Sequence, residues 1–425
     1  MSTESSDQKL MHALRLRAAR RHEDAAAMLR EAIGDDPRSA QAFFQLAITQ
    51  LILDERPKTV LETIDEAIAV EPEDSDFHAL RAELLSDLRQ HPEAHAAAAE
   101  AQRLDPDNPS AHIAQGKAFM GERRWADAEK FFGKTLELDA DNEAAGNLLA
   151  HVQRMQNRMD ANASTVEQLL SENPESPHAH FNAGWAALQK GDHRTANFHF
   201  REALRLDPSF EGARAGLLES FKARNPLYRA YLSYCAFMQK FTGAAQWLIV
   251  IGIFVGYRLI KGALSTVSPL AGSIVVIVYL LFVFWIWLAS GIGNGMILLD
   301  RHAKHALRRG ERWEGICVGG GIAIGLVLIL IGVLIPIYPL AFSGGFLAIS
   351  TLPASLTFTN ESRSGRKVFG AIFALNIFGA VVAGFAAIVS PAQTPDVVLS
   401  MFSVGALLVV LCTWIGGIES LREER

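Results

Sequence analysis

A spacing of 34 residues recurs through the first half of the chain and constrains its fold more than any other feature. Short acidic turns that end in proline lie at Pro37, Pro72, Pro106, Pro174 and Pro208. The gaps between them are 35, 34, 68 and 34 residues, and the gap of 68 is two periods with Ala140 at the missing position. A fixed period of this length indicates an array of similar units, each of which buries its apolar face against its neighbours.

Small residues return to fixed positions inside this frame. Its windows cover 177–210, 143–176, 109–142, 75–108 and 41–74, with a first window near 6–39. Position 8 of successive windows holds Gly184, Ala150, Gly116, Ala82 and Ile48, and position 20 holds Ala196, Asn162, Ala128, Ala94 and Val60. Because two antiparallel helices approach closely only where the residues at their crossing are small, each window predicts a pair of packed helices.

The array resembles tetratricopeptide (TPR) repeats. The clearest windows read HFNAGWAALQKGDHRTANFHFREALRLDP and HIAQGKAFMGERRWADAEKFFGKTLELDA, with glycine at position 8, alanine at position 20 and an aromatic residue at position 24. The resemblance implies a right-handed superhelix of about six helix pairs in a cytoplasmic domain over residues 1–223, closed by a capping helix. Asn162, Ile48 and Pro57 depart from the pattern, and we expect them to weaken helix boundaries locally.

In the family, the concave face of the superhelix is lined by repeat positions 2, 5, 9, 12 and 13 of the first helix in each pair. By this resemblance, the predicted peptide groove includes Lys117, Asn147, His151, Arg154, Phe181, Trp185 and Gln189. The alternative is that Phe181 and Trp185 only pack against a neighbouring helix or the membrane domain. Some family members clamp acidic peptide tails with Lys and Asn at positions 5 and 9, but Ile113 and Lys117 stand there in one window, and no window completes the clamp.

Charge and hydropathy divide the chain near residue 219. Residues 1–218 carry 24 Lys and Arg against 37 Asp and Glu, and residues 219–425 carry 16 against 9, which sum to the totals of 40 and 46. The second part contains long runs without charge, and ~20 apolar residues cross the hydrocarbon of a bilayer as a helix. The runs predict a membrane domain over 243–425 with six transmembrane helices, at 243–263, 272–297, 315–336, 339–359, 368–390 and 397–417. The predicted fold class is all-α, a repeat superhelix followed by a six-helix transmembrane bundle.

The charge-free run 315–360 decides between five and six spans. Its 46 residues are too many for one crossing, and the prolines and glycines of PIYPLAFSGG near its middle predict a helical hairpin. With six spans every strongly basic loop faces the cytoplasm, as the positive-inside rule requires. With five, the loop that carries Arg363, Arg366 and Lys367 faces outward. We therefore predict six spans with both termini in the cytoplasm. The repeats together with these spans resemble bacterial multipass membrane proteins that carry TPR repeats, and this resemblance implies the bacterial inner membrane.

Residues 224–242 join the two parts. Asn225 and Pro226 suit the N-cap and the first position of a helix. Aromatic residues then recur every three or four positions, at Tyr228, Tyr231, Tyr234, Phe237 and Phe241. Such a helix is suited to lie at the membrane interface. The alternative is a helix wedged under the repeat array.

Positive charge is concentrated in the loop between the second and third spans. Contacts with anionic lipid headgroups are predicted for Arg301, Lys304, Arg308 and Arg309. Topology alone also explains basic residues at this place. His302 and His305 have a spacing compatible with a metal ion, but they lack further ligands and lie among cations, so no metal site is predicted.

No known catalytic constellation is present in the sequence. It lacks a phosphate-binding glycine-rich loop, His-Glu-x-x-His and Gly-x-Ser-x-Gly, and no histidine in a span is available to activate Ser343. Apart from Arg258 and Lys261, no charged residue or histidine lies within a predicted span, which argues against a pump or an ion-coupled transporter. Asn294 and Asn376 are the polar candidates, and each is expected to bond across a helix contact.

These observations predict a membrane-anchored scaffold or adaptor without enzymatic activity or cofactor. It would bind a protein or peptide partner on its cytoplasmic concave face and contact membrane lipids, with self-association or assembly into a membrane complex as further interactions. Nucleic acid is not a predicted partner. Two alternative functions stay open. One is a channel or transporter regulated by the repeats, and the other is a membrane enzyme whose site carries no recognised motif.

Overall fold

The computed structural model describes residues 3–239, 241, 243–301, 303–360 and 362–415. The structure is 84% helical, and its described residues contain no strand, which confirms the all-α fold class. The chain divides into two compact units, residues 1–186 and 187–425. Each unit is described below by itself.

Helices of 12 to 16 residues follow one another through the N-terminal half. Six successive pairs and one further helix are α1 (Thr3–Ala18) with α2 (His22–Asp35), α3 (Ala40–Ile52) with α4 (Pro57–Val70), α5 (Ser75–Asp87) with α6 (His91–Leu104), α7 (Pro109–Gly121) with α8 (Trp125–Leu138), α9 (Glu143–Met155) with α10 (Met159–Glu172), α11 (Pro177–Gln189) with α12 (His193–Leu206), and α13 (Glu211–Lys222). The helices α5, α7, α9 and α11 begin at the first residues of the predicted windows, which confirms the register of the array.

One residue between the two helices of each pair has a left-handed backbone. These residues are Arg20, Asp54, Arg89, Arg123, Asn157 and Gly191, so successive gaps are 34, 35, 34, 34 and 34 residues. The left-handed residue lets the chain reverse at the end of the first helix. In the fourth pair, for example, the N–H of Arg124 then donates to the carbonyl of Phe119 at 2.9 Å, as in a Schellman motif.

Histidines tie the first helix of several repeats to the turn before it, which gives the recurring proline a structural role. His78 Nε2 lies 2.9 Å from the carbonyl oxygen of Pro72, and His112 and His180 contact the carbonyls of Pro106 and Pro174 at 2.8 and 3.1 Å. Proline cannot donate a backbone hydrogen bond, but its carbonyl accepts one here. Each contact spans six residues and fixes the start of a first helix.

The residues that depart from the repeat pattern do not interrupt its helices. Pro57 is the first residue of α4, where its missing N–H costs nothing. Asn162 is 1% exposed in α10 and donates its amide to the carbonyl of Ala150 in α9 at 2.6 Å. The expectation that these residues weaken the helix boundaries is therefore wrong for both, because each is accommodated by a specific local contact.

The C-terminal half contains a shorter helix and six long ones. They are α14 (Pro226–Gln239), α15 (Gly243–Val267), α16 (Pro269–Leu299), α17 (Arg309–Leu334), α18 (Tyr338–Thr359), α19 (Arg363–Val389) and α20 (Asp396–Ile415), with a 3₁₀ turn at Ala303–Ala306. The helices α15 to α20 provide six segments that are long and apolar enough to cross a membrane. The predicted hairpin is confirmed, since only residues 335–337 separate α17 from α18.

Glycines let the long helices touch backbone to backbone. A Cβ at Gly325 of α17 would lie 2.7 Å from the carbonyl oxygen of Gly344 in α18, and a Cβ at Gly295 of α16 would lie 3.1 Å from that of Gly315 in α17. Such contacts bring the helix axes close without a hydrophobic driving force. On α15, by contrast, nothing in the described structure lies within 4 Å of a Cβ built at Gly256.

Candidate functional site

Two of the predicted groove residues are engaged between neighbouring first helices of the 1–186 unit. Lys117 Nζ of α7 pairs with Glu83 Oε2 of α5 at 2.5 Å. Asn147 Oδ1 of α9 accepts a hydrogen bond from Asn182 Nδ2 of α11 at 2.9 Å. These side chains join successive helices along one row of the array, so their polar atoms already have partners.

Three other predicted groove residues form a cluster around the guanidinium of Arg154. Its Nη2 donates to His151 Nδ1 at 3.1 Å, one turn earlier on α9. Its Cζ lies 5.5 Å from the ring centre of Trp185 on α11, a distance at which a cation is attracted to the face of an aromatic ring. Phe181 contacts Trp185 edge to face at 6.3 Å, so the cluster continues along α11.

Burial determines the charges in this cluster. It lowers the pKa of His151 to about 4, and the nearby Arg154 contributes to that lowering, so the imidazole is neutral at physiological pH and Nδ1 accepts the hydrogen bond. Burial also lowers the pKa of Arg154, to about 10, and the guanidinium stays charged. The Nε of Arg154 is buried and has no hydrogen-bond partner among the described residues.

The structure does not place all seven predicted groove residues in one unit. Gln189 lies beyond residue 186, in the second unit, whereas the other six lie in the first. Its Oε1 is buried without a hydrogen-bond partner in the described part of the chain. The groove stays a prediction for all seven residues, and contacts join Arg154, His151, Phe181 and Trp185 among them.

The basic loop of the second unit is partly occupied by protein contacts. Arg308 Nη2 pairs with Glu211 Oε1 of α13 at 2.6 Å, although its side chain stays 62% exposed. Arg301, Lys304 and Arg309 are exposed and have no ion-pair partner among the described residues. Binding of lipid headgroups stays a prediction for these three residues. His302, at which no metal site was predicted, lies outside the described residues.

Helix α13 is attached to this loop by further ion pairs. Arg214 Nη1 and Nη2 donate to the two carboxylate oxygens of Glu311 at 3.0 and 3.2 Å, and Nη1 also donates to the carbonyl of Ala306 at 3.0 Å. Arg224 pairs with Asp300 at 3.1 Å. Because these pairs join α13 to the cytoplasmic ends expected for α16 and α17, we call this contact region, residues 211–224 with 300–312, the junction.

A buried carboxylate lies next to the junction. Glu314 of α17 is 0% exposed. Its Oε2 accepts from Asn294 Nδ2 of α16 at 2.7 Å, and its Oε1 accepts from Ser355 Oγ of α18 at 2.6 Å. The helix α17 begins at Arg309, before the predicted span 315–336, so Glu314 belongs to the helix and directly precedes that span. The absence of charged residues within the third span stays a prediction. Asn294 does bond across a helix contact, as expected.

A lysine of α13 is buried in the same region. Lys222, the last residue of α13, is 5% exposed and pairs with Glu219 at 2.9 Å. Its stem packs on α16, since a Cβ at Gly293 would lie 2.8 Å from Lys222 Cδ. The hydroxyl of Tyr228 donates to the other oxygen of Glu219 at 2.8 Å, and burial raises the pKa of this phenol, which keeps its proton.

The helix after the junction, α14, begins where it was predicted to begin. Its first aromatic residue faces the protein and not the predicted membrane interface. Asn225 Oδ1 accepts from the N–H of Leu227 at 2.8 Å, as expected of a cap for α14. Tyr228 is 2% exposed and faces the protein, whereas Phe237 is 47% exposed. A position at the membrane interface stays a prediction for the outer part of this helix.

Sequence reasoning missed Glu314 because spans were cut at the edges of charge-free runs. The run began at Gly315, one residue after the carboxylate. The signal that was available is the pair formed by Asn294 in one span and a carboxylate at the start of the next. A polar residue inside a span needs a partner, and Glu314 is the charged residue that directly precedes the next charge-free run.

The array was compared with known families and structures. The family models described as "Tetratricopeptide repeat" match residues 10–54, 79–143 and 177–210. Similar solved structures include PilF of Pseudomonas aeruginosa, with 20% identity, a TM-score of 0.40 and coverage of 50% of this chain and 96% of that chain. PilW, described as a widely conserved type IV pilus biogenesis factor, has 16% identity, a TM-score of 0.43 and coverage of 50% and 98%.

A thermophilic TPR protein of Thermus thermophilus is similar at 21% identity, with a TM-score of 0.40 and coverage of 43% of this chain and 99% of that chain. The comparison with curated proteins gives no match.

Proposed function

Because the N-terminal half of this chain consists of tetratricopeptide repeats and its C-terminal half supplies six membrane-length helices, we propose that it is a membrane-anchored adaptor. In this proposal the repeats bind a protein or peptide partner on their concave face in the cytoplasm. The six long helices hold them at the bacterial inner membrane, and the exposed cations of the basic loop contact anionic lipids. Repeat arrays present extended concave surfaces of this kind, and they work as interaction modules far more often than as enzymes.

The cluster of Arg154, His151, Phe181 and Trp185 is the observation that carries the proposal. It combines a charged guanidinium on α9 with two half-buried aromatic side chains on α11, the next first helix of the array. Aromatic residues and arginine are the side chains that dominate binding energy at protein interfaces. Their meeting on one row of the array supports a binding surface rather than a filled core.

Photocrosslinking in intact cells tests this surface. A photoreactive amino acid at Phe181 should give a crosslinked product of one discrete mass, and Trp185→Ala in the same chain should abolish it. The same amino acid at Lys134, an exposed position on the second helix α8, provides the matched control. Equal products from both positions, or a Phe181 product unaffected by Trp185→Ala, would remove the support for this face.

A second candidate function, transport regulated by the repeats, is favoured by Glu314. Ionisable residues inside membrane helices commonly mark ion or substrate pathways. Glu314 lies five residues after the start of α17, about 7.5 Å along the helix, so it is near one end of the bundle rather than at its centre. The test measures the flux of protons and monovalent cations into proteoliposomes for the natural chain and for Glu314→Gln. Flux that depends on Glu314 would establish transport. The absence of flux for both chains would leave the adaptor as the proposed function.

A further inference from the structure

Arg258 carries a charge in the middle of the first membrane-length helix. Within α15, the segment Leu248–Val267 is long and apolar enough to cross a membrane, and Arg258 is the eleventh of its 20 residues. At 1.5 Å per residue, it is about 13.5 Å from the nearer end of this segment. Lys261 is closer to that end, where a long basic side chain can reach the interface. A crossing by α15 therefore places Arg258, but not the charge of Lys261, at membrane depth.

The side chain of Arg258 is exposed on the outside of the bundle. No carboxylate in the described part of the chain forms an ion pair with it. Its Cζ lies 5.9 Å from the ring centre of Phe254, one turn earlier on the same helix, and Phe254 is itself 44% exposed. Charged side chains within membrane helices almost always face the interior of a bundle and have a partner. A molecule that covers Arg258 and supplies a negative charge would therefore be bound favourably here.

The surface around Arg258 is apolar and uncovered. Val255 is three residues before it and Gly262 four residues after it, so the three share one face of α15. Val255 is 46% exposed, and nothing in the described structure lies within 4 Å of a Cβ built at Gly262. Another side of α15 contacts α16, where the ring of Tyr257 stacks on that of Tyr279 at 4.1 Å. We call the uncovered surface formed by Val255, Arg258 and Gly262 the outer face of α15.

The outer face has the features that a second membrane helix requires. A transmembrane helix satisfies its own backbone N–H and C=O groups, so it can lie against α15 at this depth. At Gly262, one turn from Arg258, the lack of a side chain lets the backbone of such a helix approach closely. A carboxylate on that helix would accept two parallel hydrogen bonds from the guanidinium of Arg258.

The acidic residues of this chain do not match the position of Arg258. Between residues 241 and 418 they are Asp300, Glu311, Glu314, Glu361 and Asp396. In the sequence each is no more than five residues from an end of a long helix, whereas Arg258 is nine residues from the nearer end of α15. A second copy of the chain therefore offers no carboxylate at the depth of Arg258. Lipid phosphates lie at the interface, beyond the apolar segment.

We propose that the outer face of α15 binds a transmembrane helix of another membrane protein, and that this helix carries an aspartate or glutamate level with Arg258. The inference goes beyond the proposed adaptor function, because the partner lies inside the membrane and does not involve the groove of the repeats. Arg258 recognises the charge of the partner helix, and Val255 and Gly262 provide the surface on which that helix packs.

Model transmembrane peptides test this inference on the full chain in phosphatidylcholine vesicles. The probes are fluorescent leucine–alanine helices of about 20 residues. One has glutamate at its central position, one has glutamine there, and one has glutamate two turns nearer an end. Energy transfer from the labelled chain measures the affinity for each peptide. The natural chain is compared with Arg258→Leu, with Arg258→Lys and with the matched control Lys261→Leu.

The natural chain should bind the peptide with central glutamate about 5-fold more tightly than either other peptide, because a charge-assisted hydrogen bond is stronger than a neutral one. Arg258→Leu should abolish this preference, Arg258→Lys should retain part of it, and Lys261→Leu should leave it unchanged. Arg258→Leu removes a charge from an exposed apolar surface, so we expect its fold to be retained, and circular dichroism checks this. The absence of a preference in the natural chain, its survival in Arg258→Leu or its loss in Lys261→Leu would overturn the inference.

Photocrosslinking in cells extends the test to the natural partner. A photoreactive amino acid at Val255 should give a protein product that Arg258→Leu abolishes. The matched control is Phe378, a 60% exposed residue that is eleven residues from the end of α19, as Val255 is twelve from the end of α15. The crosslinked protein should have an acidic residue in a membrane span, and exchanging that residue with Arg258 should restore the product. A product of two copies of this chain, a product with lipid alone, or a product independent of Arg258 would contradict the proposal.

Discussion

At the scale of single residues, two buried charged groups near the junction have specific partners, whereas several buried polar atoms elsewhere have none among the described residues. Glu314 binds Asn294 and Ser355, and Lys222 binds Glu219, so both buried charges are satisfied. Arg154 Nε lacks an acceptor among the described residues. Asn294 Oδ1 likewise has no donor in the described structure. A closed polar network such as the one around Glu314 stabilises the fold.

The network around Glu314 predicts a large difference between two substitutions. Glu314→Leu should lower stability by about 1–3 kcal/mol for each donor left without an acceptor, that is, Asn294 Nδ2 and Ser355 Oγ. Glu314→Gln should cost far less, because the new amide can accept from Ser355 and donate to Asn294 Oδ1 after that amide rotates. Thermal unfolding in one detergent compares them, and equal losses for both variants would contradict the described network.

The neutral state of His151 predicts a defined pH dependence. In the unfolded chain this imidazole is protonated below its ordinary pKa of 6.5, and in the folded chain only below about 4. Its contribution to stability is therefore complete above pH 6.5 and is lost as pH falls from 6.5 towards 4, by at most ~1.4 kcal/mol per pH unit. Nitrogen NMR of labelled His151 measures the pKa directly. His151→Gln should remove its part of the pH dependence of unfolding, and a titration near 6.5 would refute the burial of this ring.

At the scale of secondary-structure elements, the array is defined by its turns as much as by its helices. A left-handed residue recurs at the centre of every repeat, and glycine occupies that position only in the last one, at Gly191. The other repeats accept arginine, asparagine or aspartate there at some cost in strain. The period was readable from the sequence through its prolines and small residues, but the left-handed positions were not, because mostly non-glycine residues occupy them.

Two glycine-to-alanine substitutions should therefore have opposite effects. Gly191 has a φ of +79°, and a Cβ at either Gly191 or Gly133 would meet nothing within 4 Å in the described structure. Gly191→Ala should lower stability by about 1 kcal/mol through backbone strain. Gly133→Ala, in the interior of α8, should raise it by roughly 0.5–1 kcal/mol. Thermal unfolding of both variants is the measurement, and a change of the same sign in both would contradict the turn geometry.

The ion pairs of the junction predict coupling between α13 and the basic loop. A double-mutant cycle with Arg214→Gln and Glu311→Gln should give a coupling free energy of about 1 kcal/mol, since both side chains are mostly buried and the pair is bidentate. Hydrogen exchange at 303–308 should rise in Arg214→Gln, because Arg214 also holds the carbonyl of Ala306. Coupling near zero together with unchanged exchange would mean that α13 is not held by these pairs.

At the scale of the whole molecule, the sequence predicted the class of each half well and the contacts of its charged side chains poorly. Periodicity and charge-free runs are properties of neighbouring residues, so the helix pairs, the six long helices and the hairpin at 335–337 followed from them. The partners of Lys117, Arg308 and Glu314 lie far along the chain or on another helix, and no local pattern encodes such pairing. The contact of Arg154 with the ring of Trp185 likewise joins two different helices.

At the same scale, the proposed function requires that six crossings place the repeats, the basic loop and the α18–α19 connection on the cytoplasmic side. Single cysteines at Lys304, Lys367 and Ala392, all exposed positions, test it in a chain whose natural cysteines Cys235, Cys317 and Cys412 are replaced. A membrane-impermeant maleimide applied to intact spheroplasts should label only the cysteine at 392, and lysis should be needed to label those at 304 and 367. Labelling of position 367 from outside, or of position 304 from outside, would contradict the six-span arrangement and with it the cytoplasmic binding face.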